Sequence, residues 1–353
     1  MNTKKNDNNL VLNTMAEGSP SKIILRFALP MLAGNILQQL YNMVDSIVVG
    51  NYVGKLALAA VGTGFPIIFM LSAMFIGLGL GATVLISQYI GAGDMSNVQK
   101  TAQTIYTAMI LGSIPISIIG ILLSKPILLL INTPPDALPM ATTYMRIKFL
   151  GMGCSFGYNV NAGILQGFGD SKSSLLFLTI ATVINIVLDL TFVLVFHWGV
   201  AGVAIATIIA QAFSWIFGIF YMKRKYEVLN FPIFKFKFDK EIFKKIVKIG
   251  LPTGIQQTLF SIGIMSMQSL VNSYGSDFIA GFNAANKIDT FAFMPVQSFS
   301  NAITTFTGQN IGAKRMDRVH QGMKSGMIMS IIVCIICLLI IPFGPYLLGL
   351  FNS

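Results

Sequence analysis

Read for polarity alone, the chain alternates long apolar runs with short polar breaks. The runs fall near 24–50, 57–89, 102–123, 141–166, 174–196, 199–222, 246–272, 278–308 and 325–350. A helix needs roughly 20 apolar residues to cross a bilayer, so about nine spanning helices are expected. The runs are continuously apolar, whereas a membrane β-barrel needs short alternating segments. That leaves helices, which satisfy their own backbone in lipid. The second and eighth runs exceed thirty residues, which predicts tilted helices that protrude from the membrane. Within the second, Gly77 and Gly81 of "GLGLGATV" are spaced for a close helix contact. No strand precedes them, so they are not a nucleotide loop.

Composition agrees with this pattern. Of 353 residues, 54% are hydrophobic and 10% charged, and the mean hydropathy is +0.72. A soluble domain averages about 25% charged residues. The net charge of +11 invites a nucleic-acid partner, but its distribution argues against one. With the N-terminus inside, the inner segments hold 19 Lys and Arg, and the outer side holds four: Lys55, Lys125, Arg146 and Lys148. Lys287 falls within a helix. This is the positive-inside asymmetry of a multi-pass protein of the inner or plasma membrane. Residues 1–22 read as a cytoplasmic tail and 223–245 as a basic cytoplasmic linker against anionic headgroups. Cys154, Cys334 and Cys337 all sit in apolar runs and read as packing residues. His197 and His320 have neither metal-ligand nor triad spacing, so no enzyme activity and no cofactor are expected.

An internal repeat organises the rest. "QYIGAGDMSNVQK" at 88–100 returns as "QNIGAKRMDRVHQ" at 309–321, with six of thirteen positions identical at an offset of 221. "ALP" at 28–30 returns as "GLP" at 250–252. Six helices separate the copies, so both units share one orientation about an axis along the membrane normal. The first lobe is then a six-helix bundle over 23–222. The second, over 246–353, has reached only its third helix at "YLLGLFNS", which aligns with "ILLLINT" at 127–133. By this pattern nine helices are present of an expected twelve.

The first run is polar where it should be apolar. "GNILQQLYNMVDSIVVG" carries Asn35, Gln38, Gln39, Tyr41, Asn42 and Asp45. Asn35, Gln38, Asn42 and Asp45 share one helical face. Pro30 removes a backbone hydrogen bond and invites a kink. A charge at mid-bilayer costs about 2.5–3.5 kcal/mol, so Asp45 is expected to face the bundle interior. Asn185 and Asp189 form an i, i+4 pair on the fifth run, and Thr207 lies on the sixth among small residues. Two carboxylates, an amide and a hydroxyl are hard ligands suited to Na⁺ or a shared proton.

Taken together, "LPMLAGNILQQLYNMVDSIVVG", "ALAAVG" at 57–62, "QYIGAG", "GILQGFGDSKSS", "WGVAGVAIAT", "GLP", "AANKID" and "FTGQNIGAKRMDRV" resemble the multidrug and toxic compound extrusion (MATE) transporters over about residues 20–353. The resemblance implies an all-α, two-lobe helical bundle that exports organic cations or drugs in exchange for Na⁺ or H⁺. It implies a cation-coupling site at Asp45, Asn185, Asp189 and Thr207, as in the prokaryotic branch related to DinF, and a bend at Pro30. The seventh run, "GLPTGIQQTLFSIGIMSMQSLV", lacks the carboxylate that another branch carries, which favours coupling in the first lobe. Asn35, Gln38, Tyr41, Asn42, Gln256 and Asp289 are candidates to line the cavity. Membrane lipid and small organic cations are the expected partners, and the chain is expected to be a monomer. Two other readings are a lipid-linked precursor flippase and a truncated membrane protein that does not transport. Flippase cavities tend to be cationic, whereas this lobe has buried acids and no buried Arg.

Overall fold

The computed structural model describes residues 15–131, 133–231, 236–272 and 276–340. The expected third helix end at 346–353 and the Lys287 side chain lie outside the described residues. The helices in chain order are α1 (Pro20–Val48), α2 (Lys55–Gly91), α3 (Met95–Leu130), α4 (Leu138–Leu150), α5 (Met152–Gly167), α6 (Ser171–Leu190), α7 (Gly199–Lys225), α8 (Lys240–Asn272), α9 (Ser276–Gly312) and α10 (Met316–Ile340). Among the described residues six helices are long and apolar enough to cross a membrane: α1, α2, α3, α6, α7 and α10. The run 141–166 forms two helices, α4 and α5, broken at Gly151, while α2 and α9 are each single helices of 37 residues. The basic segment 223–245 is helical at both ends, because Lys223–Lys225 close α7 and Lys240 opens α8.

The helix boundaries follow from local chemistry. Asp94 and Asp170 are N-caps that accept from the backbone N–H of Asn97 and Ser173, each at 3.1 Å, satisfying donors left free at a helix start. The repeat recurs as the same turn. After α2, Ala92, Gly93 and Asp94 donate back to Gln88, Ile90 and Tyr89. After α9, Ala313, Lys314 and Arg315 donate to Gln309, Ile311 and Asn310, at positions 221 further on. Gly93 has φ 71° and Lys314 φ 56°, so the second copy holds a left-handed conformation without a glycine.

A buried apolar core joins α2 to α6 through Ile86, Ile105, Phe149, Ile164 and Phe177. The seam between the lobes is made by α2 lying along α8 and α9. A side chain on Gly77 would meet the backbone of Gly250 and Gly254, and one on Gly81 that of Ile246 and Gly250. The close contact expected of these glycines is therefore a contact between lobes. α1 belongs to both sides. Its Gly34 faces Leu175 and Leu178 of α6, while Ile24, Phe27 and Ala28 pack on Ala302 and Phe306 of α9.

Candidate functional site

Asp45 and Asp189 both stand just before a local change in helical winding. α1 passes into a π-helical turn at Val49–Val53, and α6 into another at Thr191–Val195. Such turns are rare and concentrate at functional sites. The two turns touch, and Val48, Val49 and Val53 pack with Val193, Val200 and Val203. These valines make an apolar plug where α1 and α6 end.

Behind the plug the predicted residues meet. Asp189 is 0% exposed, Asn185 1% and Thr207 2%. The carboxyl groups of Asp45 and Asp189 converge on the amide of Asn185. With its amide nitrogen turned to the acids, Asn185 donates to Asp189 Oδ2 at 3.0 Å and to Asp45 Oδ1 at 3.1 Å. Amide orientation is assigned from partners, and here only this orientation gives both. Tyr41 lies near enough to Asp45 to feel its charge and donates to Thr207 Oγ1 at 3.3 Å, while the Thr207 hydroxyl donates to the Val203 carbonyl at 2.9 Å. Asp189 Oδ1 is buried with no hydrogen-bond partner among the described residues. An acceptor oxygen buried unpaired costs about 1–3 kcal/mol, and an oxygen donor set of this kind fits a small hard cation or a proton.

The remaining candidates are scattered. Asn35 donates to Ser298 Oγ of α9 at 3.0 Å. Gln38 and Asn42 are exposed on α1, Gln256 on α8 and Asp289 on α9. Pro30 lies within α1, which stays helical on both sides of it.

The sequence reading counted Lys148 only as one of four outer-side charges, and the structure gives it a place beside the acids. Lys148 sits on α4, half-buried, close enough to Asp45 and Asp189 to interact with both charges. Its ammonium lies 5.7 Å from the ring centre of Tyr144, one turn earlier. The lobe therefore holds a half-buried cation beside its acids. The available signal was the i, i+4 spacing of Tyr144 and Lys148, which puts them on one helix face.

Comparison with known proteins places the chain and its fold. The MatE family model matches residues 30–191 and 252–353. A probable multidrug resistance protein of Bacillus subtilis, YpnP, is 33% identical over 86% of this chain and 68% of its own length. A second from the same organism, YoeA, is 31% identical over 96% of this chain and 76% of its own length. The solved structure of a MOP superfamily transporter from Pyrococcus furiosus Vc1 superposes with a TM-score of 0.88 at 27% identity, covering 96% of this chain and 75% of that one. A two-lobe helical membrane fold with a repeat at offset 221, matched over most of its length, makes this chain a member of the MatE family, the multidrug and toxic compound extrusion transporters.

Proposed function

We propose that the chain works as a secondary active exporter that moves small organic cations outward in exchange for Na⁺ or H⁺ moving inward across the cell membrane, with its N-terminus on the cytoplasmic side. One observation carries the reading: Asp45 and Asp189 converge on one amide group, that of Asn185, at 3.1 and 3.0 Å. Two ionised carboxylates so placed repel, and the pair is relieved by one proton or one small cation between them. Lys148 sets the count. Two carboxylates and one ammonium leave one negative charge, which one H⁺ or Na⁺ neutralises.

The two ions ask different things of Asn185. A shared proton suits the amide with its nitrogen toward the acids. Na⁺ takes oxygen from Asp45, Asp189 and Thr207, and a turned amide adds a further oxygen. Either ion changes the charge beside α1, which packs on both lobes. The names of the Bacillus relatives support drugs as the exported class.

The test uses inside-out membrane vesicles from cells expressing the chain, with a flat fluorescent organic cation as probe. Separate Na⁺ and pH gradients are applied. Gradient-driven transport should fall at least tenfold in Asp45→Asn and Asp189→Asn at unchanged membrane abundance. Transport by these variants at the rate of the unaltered chain, or no gradient-driven transport by the unaltered chain, overturns the reading.

A further inference from the structure

A cavity of about 530 Å³ opens at the opposite end of α6 from the acid pair, between the start of α1, the start of α6 and the end of α7. Three cations line it, Arg26, Lys172 and Lys225, against one acid, Asp170. The acid is already engaged. Its Oδ2 accepts from Lys225 Nζ at 2.7 Å, Ser173 Oγ at 2.6 Å and Tyr226 OH at 2.8 Å. Arg26 and Lys172 are exposed, and no ion pair involves them among the described residues. The first turn of α6 adds the partial positive charge of a helix start.

The other wall is apolar. Phe27 and Leu176 face the cavity. From Leu176, the exposed side chains of Val183, Val187 and Leu190 continue along one face of α6 to its other end. A basic cup at the rim that opens onto an apolar column has the form of a phospholipid, head in the cup and chain along the helix.

We infer that this cavity binds a phosphate-bearing anion, and that the apolar column makes an anionic phospholipid headgroup its occupant. Arg26 and Lys172 hold the phosphate oxygens, Arg26 by its planar fork and Lys172 as a point charge. Lys225 is committed to Asp170 and keeps the cup in shape. Occupancy ties α1 to α6 and α7 at the basic end of the bundle.

The test measures thermal unfolding of the purified chain in detergent with phosphatidylglycerol, with phosphatidylcholine and with inorganic phosphate. The variants are Arg26→Gln with Lys172→Gln together, and Lys100→Gln, an exposed lysine outside the cavity. Phosphatidylglycerol should stabilise the unaltered chain and the Lys100 variant. The double variant should bind it roughly thirtyfold more weakly, two basic contacts being lost. Equal stabilisation by inorganic phosphate, lost in the same double variant, supports the anion site and assigns it to a soluble ligand. No stabilisation by either anion, an equal response to phosphatidylcholine, an unchanged double variant, or an equal loss in Lys100→Gln overturns the inference.

Discussion

Gly91 and Gly312 lie against each other's helices across the seam: a side chain on Gly91 would run into the backbone of Gln309, and one on Gly312 into that of Gln88. These four positions are two repeat-related pairs, so each copy provides the gap that the other fills. Gly91→Val should push α2 from α9 and destabilise the fold by about 1–3 kcal/mol, measured as a lower unfolding midpoint in detergent. Gly263→Ala is the control. Nothing lies within 4 Å of a side chain there, and the midpoint should hold or rise slightly.

Lys148 competes with any cation that enters between Asp45 and Asp189. Lys148→Met keeps the length of the side chain and removes its charge. On the proposed coupling, the variant should bind Na⁺ several-fold more tightly, read by isothermal titration on the purified chain. Weaker binding would mean that Lys148 helps to build the site instead of opposing its ion.

Asp170 gives the fold an acid-sensitive joint. Burial works against its charge, but the bonds from Lys225, Ser173 and Tyr226 outweigh this and hold its carboxyl below the ordinary value of 3.8. A lowered carboxylate contributes stability that is full above the unfolded value and lost as pH falls through the folded one. Unfolding midpoints should therefore drop steeply below about pH 4. Asp170→Asn should flatten this part of the profile and cost about 1–3 kcal/mol at neutral pH.

Arg318 anchors the segment ahead of α1. Its guanidinium donates to the carbonyls of Gly18 at 2.8 Å and Met15 at 3.1 Å, and to Asn310 Oδ1 at 3.0 Å. Arg318→Leu should free this strap, at a cost of about 1.5–3 kcal/mol for bonds made by a charged donor. Cleavage at Glu17 by a glutamate-specific protease should become faster while the helix content by circular dichroism holds.

The sequence showed the acid site well because an ionisable residue in an apolar run has few places to go. Asp45 and Asp189 had to find partners, and i, i+4 spacing supplied Asn185. The seam was legible for a related reason, since Gly77 and Gly81 leave a gap only another helix can fill. Lys148 was hidden by counting charges against loops. The count treats every lysine near a run's end as solvated, but α4 begins at Leu138 and carries Lys148 almost three turns in. The Arg318 strap joins residues some 300 positions apart, a contact with no periodic signature. The π-helical turns after Asp45 and Asp189 depend on how two apolar helix ends settle against each other, which neither segment encodes alone.

The bond from Asn35 to Ser298 lies ten residues before Asp45 on the same helix, roughly 15 Å along its axis. One continuous helix is thus gripped by the opposite lobe at one point and bears Asp45 at another. On the proposed coupling, a push at the acid end arrives at the far grip as torque, with no relay of intervening side chains, so that ion and cargo are geared together through a single shaft.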